Sequence, residues 1–260
     1  SGPALPWDLH CCALRQRQMG IRDRITLLTE ERMQAIQAGE APDDLATKIM
    51  TTVDPETGKA FDTKEMVDQV AIFFLAGHET SASALAWTLY LCALFPEWQE
   101  RIAEEAADLT EDFSAVSKLK ISRDVFREAL RLYPPVPMMV REATCPEHFR
   151  DRDIAKGSQV VISPWHLHRQ ERLWDNPDGF DPMRWQTANG KQCMREAYVP
   201  FSAGSRVCTG AGFAMVEGVL MLSMILKHFR ITPVGDAPVP IAHLTVRSRD
   251  GINLRLERRN

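Results

Sequence analysis

The stretch Phe201-Ser-Ala-Gly-Ser-Arg-Val-Cys208-Thr-Gly210 decides how this sequence is interpreted. It directly precedes an apolar segment with helical spacing, so Cys208 lies just before a helix amino terminus, where the local field favours a thiolate. Glycines on both sides let the backbone approach a bulky, flat group, and Arg206 supplies a cation suited to a carboxylate. These residues fit a metal ligand or a nucleophile. A nucleophile would need a base from elsewhere, because no histidine lies within ten residues of Cys208.

Three further motifs precede this stretch in the chain. They are Ala76-Gly77-His78-Glu79-Thr80, Glu128-Ala-Leu-Arg131 and Phe180-Asp-Pro-Met-Arg184-Trp185. The first interrupts the long apolar segment 70–95 with polar side chains, which are costly in lipid. The pattern therefore favours a buried helix of a soluble protein whose centre faces a cavity, a ligand or water. Glu128 and Arg131 are three residues apart, so they share one helical face and can pair.

Together these motifs resemble the cytochrome P-450 family. The cysteine stretch matches its FxxGxRxCxG pattern at all five fixed positions, and the others are similar to [AG]Gx[DE]T, ExxR and Px[RH][FW]. Trp185 stands where Phe is commoner. The resemblance runs from about residue 12 to the end. It implies a mainly α fold with small β-sheets, in which residues 1–260 form a single partial domain without the upstream helices and part of the substrate-recognition region.

The resemblance implies haem b as the cofactor and Cys208 as its thiolate ligand. Arg206 would hold one haem propionate and Arg141 a second. Phe201 would shield the sulfur, and Gly77 would let the long helix open at the oxygen site. The full set implied to contact the cofactor is Phe201, Gly204, Arg206, Cys208, Gly210, Arg141 and Gly77.

The resemblance also implies roles around the cofactor. Glu79 and Thr80 would be the acid–alcohol pair that delivers protons for oxygen activation. Glu128, Arg131 and Arg184 would form a buried charge network that is structural. The implied substrate-facing residues are apolar: Phe73, Ala76, Met138, Met139 and Val140, with a loop or hairpin tip at 243–244.

The implied function is a haem-thiolate monooxygenase that acts on a hydrophobic small molecule. A net charge of −4 excludes a generally basic nucleic-acid binder. No flavin or iron–sulfur motif is present, so two electrons would come from an external ferredoxin or flavoprotein. With no signal peptide or membrane anchor visible, we expect a cytoplasmic, soluble, bacterial-type system. Two alternatives stay open: a truncated, non-catalytic haem-binding or dimerising module, for which a homodimer is expected, and a peroxide-driven peroxygenase.

Residue spacing predicts the secondary structure. Helices are expected over 1–40, 43–52, 63–95, 96–109, 122–133 and 210–229. Short strands are expected over 136–163 and mostly loop over 164–200. Near the end, Asp250-Gly251 between two alternating runs predicts a hairpin.

Overall fold

The computed structural model describes residues 6–110 and 113–259. The expected mainly helical fold with small sheets is confirmed. The helices are α1 (Pro6–Ala38), α2 (Leu45–Thr51), α3 (Thr63–Leu94), α4 (Pro96–Glu105), α5 (Lys120–Leu132), α6 (Pro164–Leu167), α7 (Ala188–Glu196) and α8 (Ala211–His228). The strands are β1 (Met139–Glu142), β2 (Glu147–Phe149), β3 (Arg152–Ile154), β4 (Gln159–Ile162), β5 (Phe229–Pro233), β6 (Pro240–Ala242), β7 (Val246–Ser248) and β8 (Leu254–Arg258).

The chain divides into two compact units, residues 1–78 and 79–260. In the first unit, the Arg32 guanidinium donates to both carboxylate oxygens of Asp44 at 2.7 Å. Asp44 also caps α2 by accepting a hydrogen bond from the Thr47 amide, at 2.9 Å. The Arg32 bond, more than the amide bond, lowers the pKa of Asp44 to about 2. The ion pair thus joins α1 to the start of α2.

Helix α3 begins with a reciprocal cap. Asp62 accepts from the Glu65 amide at 2.7 Å, and Glu65 accepts from the Asp62 amide at 2.9 Å. This arrangement satisfies two of the amide groups that a helix start leaves without partners. The buried helix expected from the sequence is found over only part of α3. Residues 72–75 are exposed in the first unit, because its described residues do not cover them, whereas Trp87 and Cys92 are buried in the second.

The core of the second unit lies between α4, α5, α8 and the second half of α3. Ile102, Val125, Leu222 and Leu226 are fully buried there. Each fully buried aliphatic side chain contributes about 1.5–3 kcal/mol relative to leaving it in water. This core therefore fixes α8, the helix that follows the cysteine stretch, against α5, the helix that carries Glu128 and Arg131.

The hairpin predicted at Asp250-Gly251 is wrong. The four sheets within residues 6–110 and 113–259 are two-stranded and antiparallel: β1 pairs with β4, β2 with β3, β6 with β7, and β5 with β8. Ile231 of β5 is buried, and both its amide and its carbonyl bond the Gln99 side chain, at 2.9 and 2.7 Å. Packing in the core thus holds β5 as the partner of β8, so local turn chemistry does not decide the pairing.

Helix α7 lies in the segment expected to be mostly loop. The Thr187 side chain accepts from the Gly190 amide at 3.0 Å and caps the helix. Cys193 and Ala197, four residues apart, are buried against Trp174 and Trp185. Within the nine residues of α7 only Gly190 and Cys193 are buried, so the sequence shows no clear apolar period there.

Gly218 of α8 provides a test of the core packing. A Cβ at this position would overlap the buried ring of Phe126, whereas one at Gly212 in the same helix would meet nothing within 4 Å. We expect Gly218→Ala to lower the free energy of unfolding by about 1–3 kcal/mol through overpacking. Gly212→Ala is the control, expected to raise it by about 0.5–1 kcal/mol. Urea unfolding followed by circular dichroism measures both, and equal effects would contradict this packing.

Candidate functional site

Residues 201–210, called the cysteine loop here, form a tight turn that ends at α8. The Cys208 amide donates to the Phe201 carbonyl at 2.8 Å, and the Val207 amide donates to the Gly204 carbonyl at 3.1 Å. Two residues adopt left-handed backbone, Ser202 at φ 64° and Gly204 at φ 69°. Glycine takes this conformation without strain, which explains its place at position 204. Phe201 is half-buried and packs against the main core, so the loop is anchored at its first residue.

The Cys208 thiol is exposed beside the start of a helix. Helix α8 begins at Ala211, with Gly210 as its cap residue. Amide groups at a helix start carry partial positive charge and point toward this end of the loop. Three other cysteine side chains in the described part of the chain differ: Cys92 and Cys193 are buried, and Cys145 donates to Glu147 at 3.2 Å. Burial raises the pKa of Cys92 and Cys193, and the Glu147 bond raises that of Cys145.

Two arginines flank the cysteine loop. Arg141 of β1 donates to the Ser202 hydroxyl at 3.1 Å, so the fold brings together residues that are 61 positions apart. Arg206 is exposed, and among residues 6–110 and 113–259 the structure gives it no carboxylate partner. Both guanidinium groups are therefore available to an anionic ligand near Cys208.

The groups around Cys208 fit a haem. Val207 and Phe213, on either side of the thiol in sequence, are 54% and 71% exposed, which is unusual for large apolar side chains. A thiolate is a soft ligand that suits iron, apolar side chains suit the porphyrin plane, and guanidinium groups suit propionates. The donor set on this surface thus matches the three chemical parts of that cofactor.

Glu128, Arg131 and Arg184 come together inside the second unit. Arg131 binds both carboxylate oxygens of Glu128, at 3.0 and 2.8 Å. Arg184 donates to the same carboxylate at 3.2 Å. Glu128 and Arg131 have no exposed surface, and Arg184 is 3% exposed. The pairing that i, i+3 spacing predicted is thus present, and Arg184 joins it from 53 residues downstream of Arg131.

Backbone carbonyls surround the excess positive charge of this network. Besides Glu128, Arg131 donates to the carbonyls of His168, Pro177 and Gly179. Arg184 donates to those of residues 175, 176 and 179. All these carbonyls lie between residues 168 and 179, a segment with no strand and, after α6, no helix. The two guanidinium groups therefore fix the path of an otherwise irregular chain.

The structure gives Glu79 two partners that sequence reasoning missed. Arg247 of β7 binds its carboxylate with Nε at 2.7 Å and Nη2 at 2.6 Å. Thr245, at the tip that joins β6 to β7, donates to the same oxygen at 2.5 Å. Their separation from Glu79, 166 and 168 residues, left no local signal. Thr80 is half-buried beside Glu79 on α3.

The residues expected to face the substrate are divided between the two units. In the first unit, Phe73 and Ala76 are exposed on α3, and so is Gly77, which the resemblance assigns to the oxygen site. In the second, Met138 lines a cavity of about 280 Å³ together with Pro137, Ser163, Trp165, Ala242 and Val246. Met139 and Val140 are outside this lining, because they pair in β1 with Ile162 and Val161 of β4. The cavity is mostly apolar, which suits a hydrophobic ligand.

Comparisons with known proteins agree on one family. The sequence profile of the family described as Cytochrome P450 matches residues 7–254. Human cytochrome P450 4X1 is 35% identical over 245 residues, which cover 89% of this chain and 48% of that protein. Human cytochrome P450 4A11 is 38% identical over 217 residues, which cover 81% and 41%. The solved haem domain of cytochrome P450DA is 29% identical with a TM-score of 0.88, over 99% of this chain and 57% of that one. The chain spans about half the length of the curated relatives it matches.

The cytoplasmic localisation expected from the sequence is wrong. The curated relatives are mammalian cytochromes P450 of the 4X and 4A groups, which are membrane-bound enzymes of the endoplasmic reticulum. In the described part of the chain, α8 is long and apolar enough to cross a membrane, a property that core helices of soluble proteins share.

The charge network predicts an asymmetric response to mutation. Glu128→Leu leaves two guanidinium groups buried without their carboxylate, so we expect the free energy of unfolding to fall by about 3–5 kcal/mol. Asp153→Asn is the control: it removes the acid of an exposed pair with His148, and we expect almost no change. The measurement is urea unfolding of both variants. Equal stability of Glu128→Leu and the parent chain would show that the network is not structural.

Proposed function

This chain belongs to the cytochrome P450 family, and from that premise we propose that it forms the haem-carrying part of a monooxygenase. The reaction would insert one atom of dioxygen into a hydrophobic small molecule and reduce the other to water with two electrons and two protons. The observation that supports this best is the cysteine loop, where an exposed thiol lies beside a helix start with Arg141 close by.

In this proposal, haem b is held by four contacts from the second unit. Cys208 would bind the iron, Arg141 and Arg206 would bind propionates, and Phe201 would cover the sulfur. Thiolate-ligated haem supplies the chemistry that cleaves the oxygen–oxygen bond. Gly204 and Gly210 would keep the loop backbone close to the porphyrin, since neither has a side chain to hold it away.

The loop backbone and the start of α8 determine the position and surroundings of the sulfur. The Phe201 carbonyl accepts a hydrogen bond from the Cys208 amide, and this bond fixes the position of the thiol in the loop. The start of α8 supplies partial positive charge beside it. With haem bound, the porphyrin and Phe201 would cover the sulfur, so solvent donors would no longer compete for its lone pairs.

We assign proton delivery to Glu79 and Thr80. Protons must reach a site from which bulk water is excluded, so an ionisable group and a hydroxyl in series are needed. Arg247 and Thr245 hold the Glu79 carboxylate at the β6–β7 hairpin, whose tip carries the exposed Leu244. The same hairpin contributes Ala242 and Val246 to the apolar cavity. A substrate that contacts this hairpin would therefore affect the position of the Glu79 carboxylate, which passes the proton.

The partners follow from the chemistry of the proposed reaction. The apolar cavity beside Met138 favours a hydrophobic substrate. The 260 residues contain no flavin or iron–sulfur motif, and the proposal is that a ferredoxin or flavoprotein supplies the two electrons.

A second candidate, a truncated haem-binding or dimerising module, also has support. Phe213 and Leu244 are large apolar side chains that are 71% and 81% exposed. Large exposed apolar side chains favour association. Light scattering on the purified chain separates the two: a monomer that takes up haem supports the monooxygenase part, and a haem-free dimer supports the module.

Replacement of Cys208 tests the cofactor site. With haemin bound, we expect the reduced carbonyl form of the parent chain to show the strongly red-shifted Soret band of thiolate ligation. Cys208→Ser should lose this band, because a serine hydroxyl is a poor ligand for the iron. Cys145→Ser is the matched control, an exposed cysteine on the turn before β2, and should keep it. Retention of the band in Cys208→Ser would disprove the ligand assignment.

Replacement of Thr80 tests proton delivery. We expect Thr80→Ala to release more hydrogen peroxide per electron pair than the parent chain when NADPH and a surrogate ferredoxin system supply the electrons. If proton delivery for oxygen–oxygen bond cleavage is slower, more of the reduced oxygen is released as hydrogen peroxide. Thr51→Ala is the control, a threonine of α2 whose hydroxyl bonds the Thr47 carbonyl at 2.8 Å and which has no role in the proposed proton delivery. Equal peroxide yields for Thr80→Ala and the parent would remove the assigned role.

A further inference from the structure

His168 lies in the interior of the second unit, directly after α6. It has no exposed surface, and its ring stacks on Tyr198 with centroids 5.4 Å apart. The edge of Trp174 packs against it at 6.3 Å. Nothing in the proposed chemistry uses this histidine, yet both of its ring nitrogens bond backbone groups of distant segments.

The two bonds determine the protonation state of the ring. Nδ1 lies 3.1 Å from the Arg131 carbonyl, which can only accept, so Nδ1 carries the hydrogen. Nε2 lies 2.9 Å from the Val199 amide, which can only donate, so Nε2 is unprotonated. His168 is therefore a neutral imidazole in a defined tautomer. The Arg131 guanidinium donates in return to the His168 carbonyl at 2.9 Å, so the two residues hold each other.

Val199 connects this pair to the cysteine loop. The Val199 carbonyl accepts from the Ser202 amide at 3.2 Å, and the Phe201 carbonyl accepts from the Cys208 amide at 2.8 Å. A short series of hydrogen bonds thus runs from the charge network, through the imidazole, to the backbone of Cys208. We propose that His168 is a positioning residue that fixes the start of the cysteine loop, by donating to Arg131 and accepting from Val199.

The surroundings of the ring keep it neutral. Burial is the main cause that lowers the pKa of His168, to about 3, and the nearby Arg131 and Arg169 charges act in the same direction. The phenol of Tyr198, stacked on the ring, stays neutral because burial raises its pKa. Protonation of Nε2 would put two donors face to face at Val199, so the contact is lost when the ring gains a proton.

The direction of the pH effect follows from this pKa. An unfolded chain binds a proton at His168 below about pH 6.5, and the folded chain does so only near pH 3. The folded state therefore binds fewer protons between these values. The contribution of His168 to stability is complete above about pH 6.5 and is lost progressively as the pH falls toward 3.

Hydrogen–deuterium exchange tests the proposal without haem. In the purified 260-residue chain at pH 7, we expect His168→Phe to raise the exchange rates of the amides over 199–208 roughly tenfold to a hundredfold, because the ring keeps its size but loses both bonds. Amides over 222–226 in α8 should change little. His168→Gln, which keeps a donor and an acceptor, should lie much closer to the parent. His148→Gln, on an exposed hairpin, is the control and should match the parent.

The pH dependence of exchange gives a second test, in which the residues of the cysteine loop itself are unchanged. After correction for intrinsic exchange, amides over 199–208 of the parent chain should lose protection between pH 6.5 and 4, and those of His168→Gln should not, since glutamine does not titrate there. If His168→Phe leaves the loop amides as protected as in the parent, or if both chains lose protection alike with pH, the proposal fails. The inference rests on the proposed function only where it concerns haem binding. If the amides over 199–208 are protected as expected but the chain takes up no haem, the proposed function fails and the role of His168 stands.

Discussion

The shared carboxylate of Glu128 is the contact on which the rest of the second unit depends. One carboxylate faces two guanidinium groups, Arg131 and Arg184, where water is excluded. Such a cluster is stable only if every donor finds an acceptor, since an unpaired buried charge costs several kcal/mol. The missing acceptors are backbone carbonyls between residues 168 and 179. Because the two guanidinium groups need these carbonyls as acceptors, the irregular segment 168–179 is held in one conformation.

That path leads to the functional surface. Trp174 and Trp185 pack with Tyr198, and the Tyr198 hydroxyl donates to the Arg127 carbonyl on α5 at 3.1 Å. The chain then continues directly into the cysteine loop, and α8 follows, packed on α5 through Phe126 and Gly218. Both ends of the loop are therefore fixed to the helix that carries Glu128 and Arg131. A rigid loop suits a ligand that must hold its sulfur in one position.

Local sequence patterns predicted the features that depend on near neighbours. The Glu128–Arg131 pair follows from i, i+3 spacing. The family resemblance placed Arg141 near the cysteine loop, and the structure shows its bond to Ser202. It could not give the partners of Glu79, because the register of β7 depends on tertiary packing. The β5–β8 pairing was missed for the same reason: buried Ile231 outweighed the turn signal at Asp250-Gly251.

The central claim is that this surface binds haem iron through the sulfur of Cys208. X-ray absorption at the iron edge of the haemin-loaded chain tests it most directly, because the signal reports the atoms bonded to the metal. The account predicts one sulfur scatterer in the first shell together with the porphyrin nitrogens. A first shell of nitrogen and oxygen scatterers alone would contradict it.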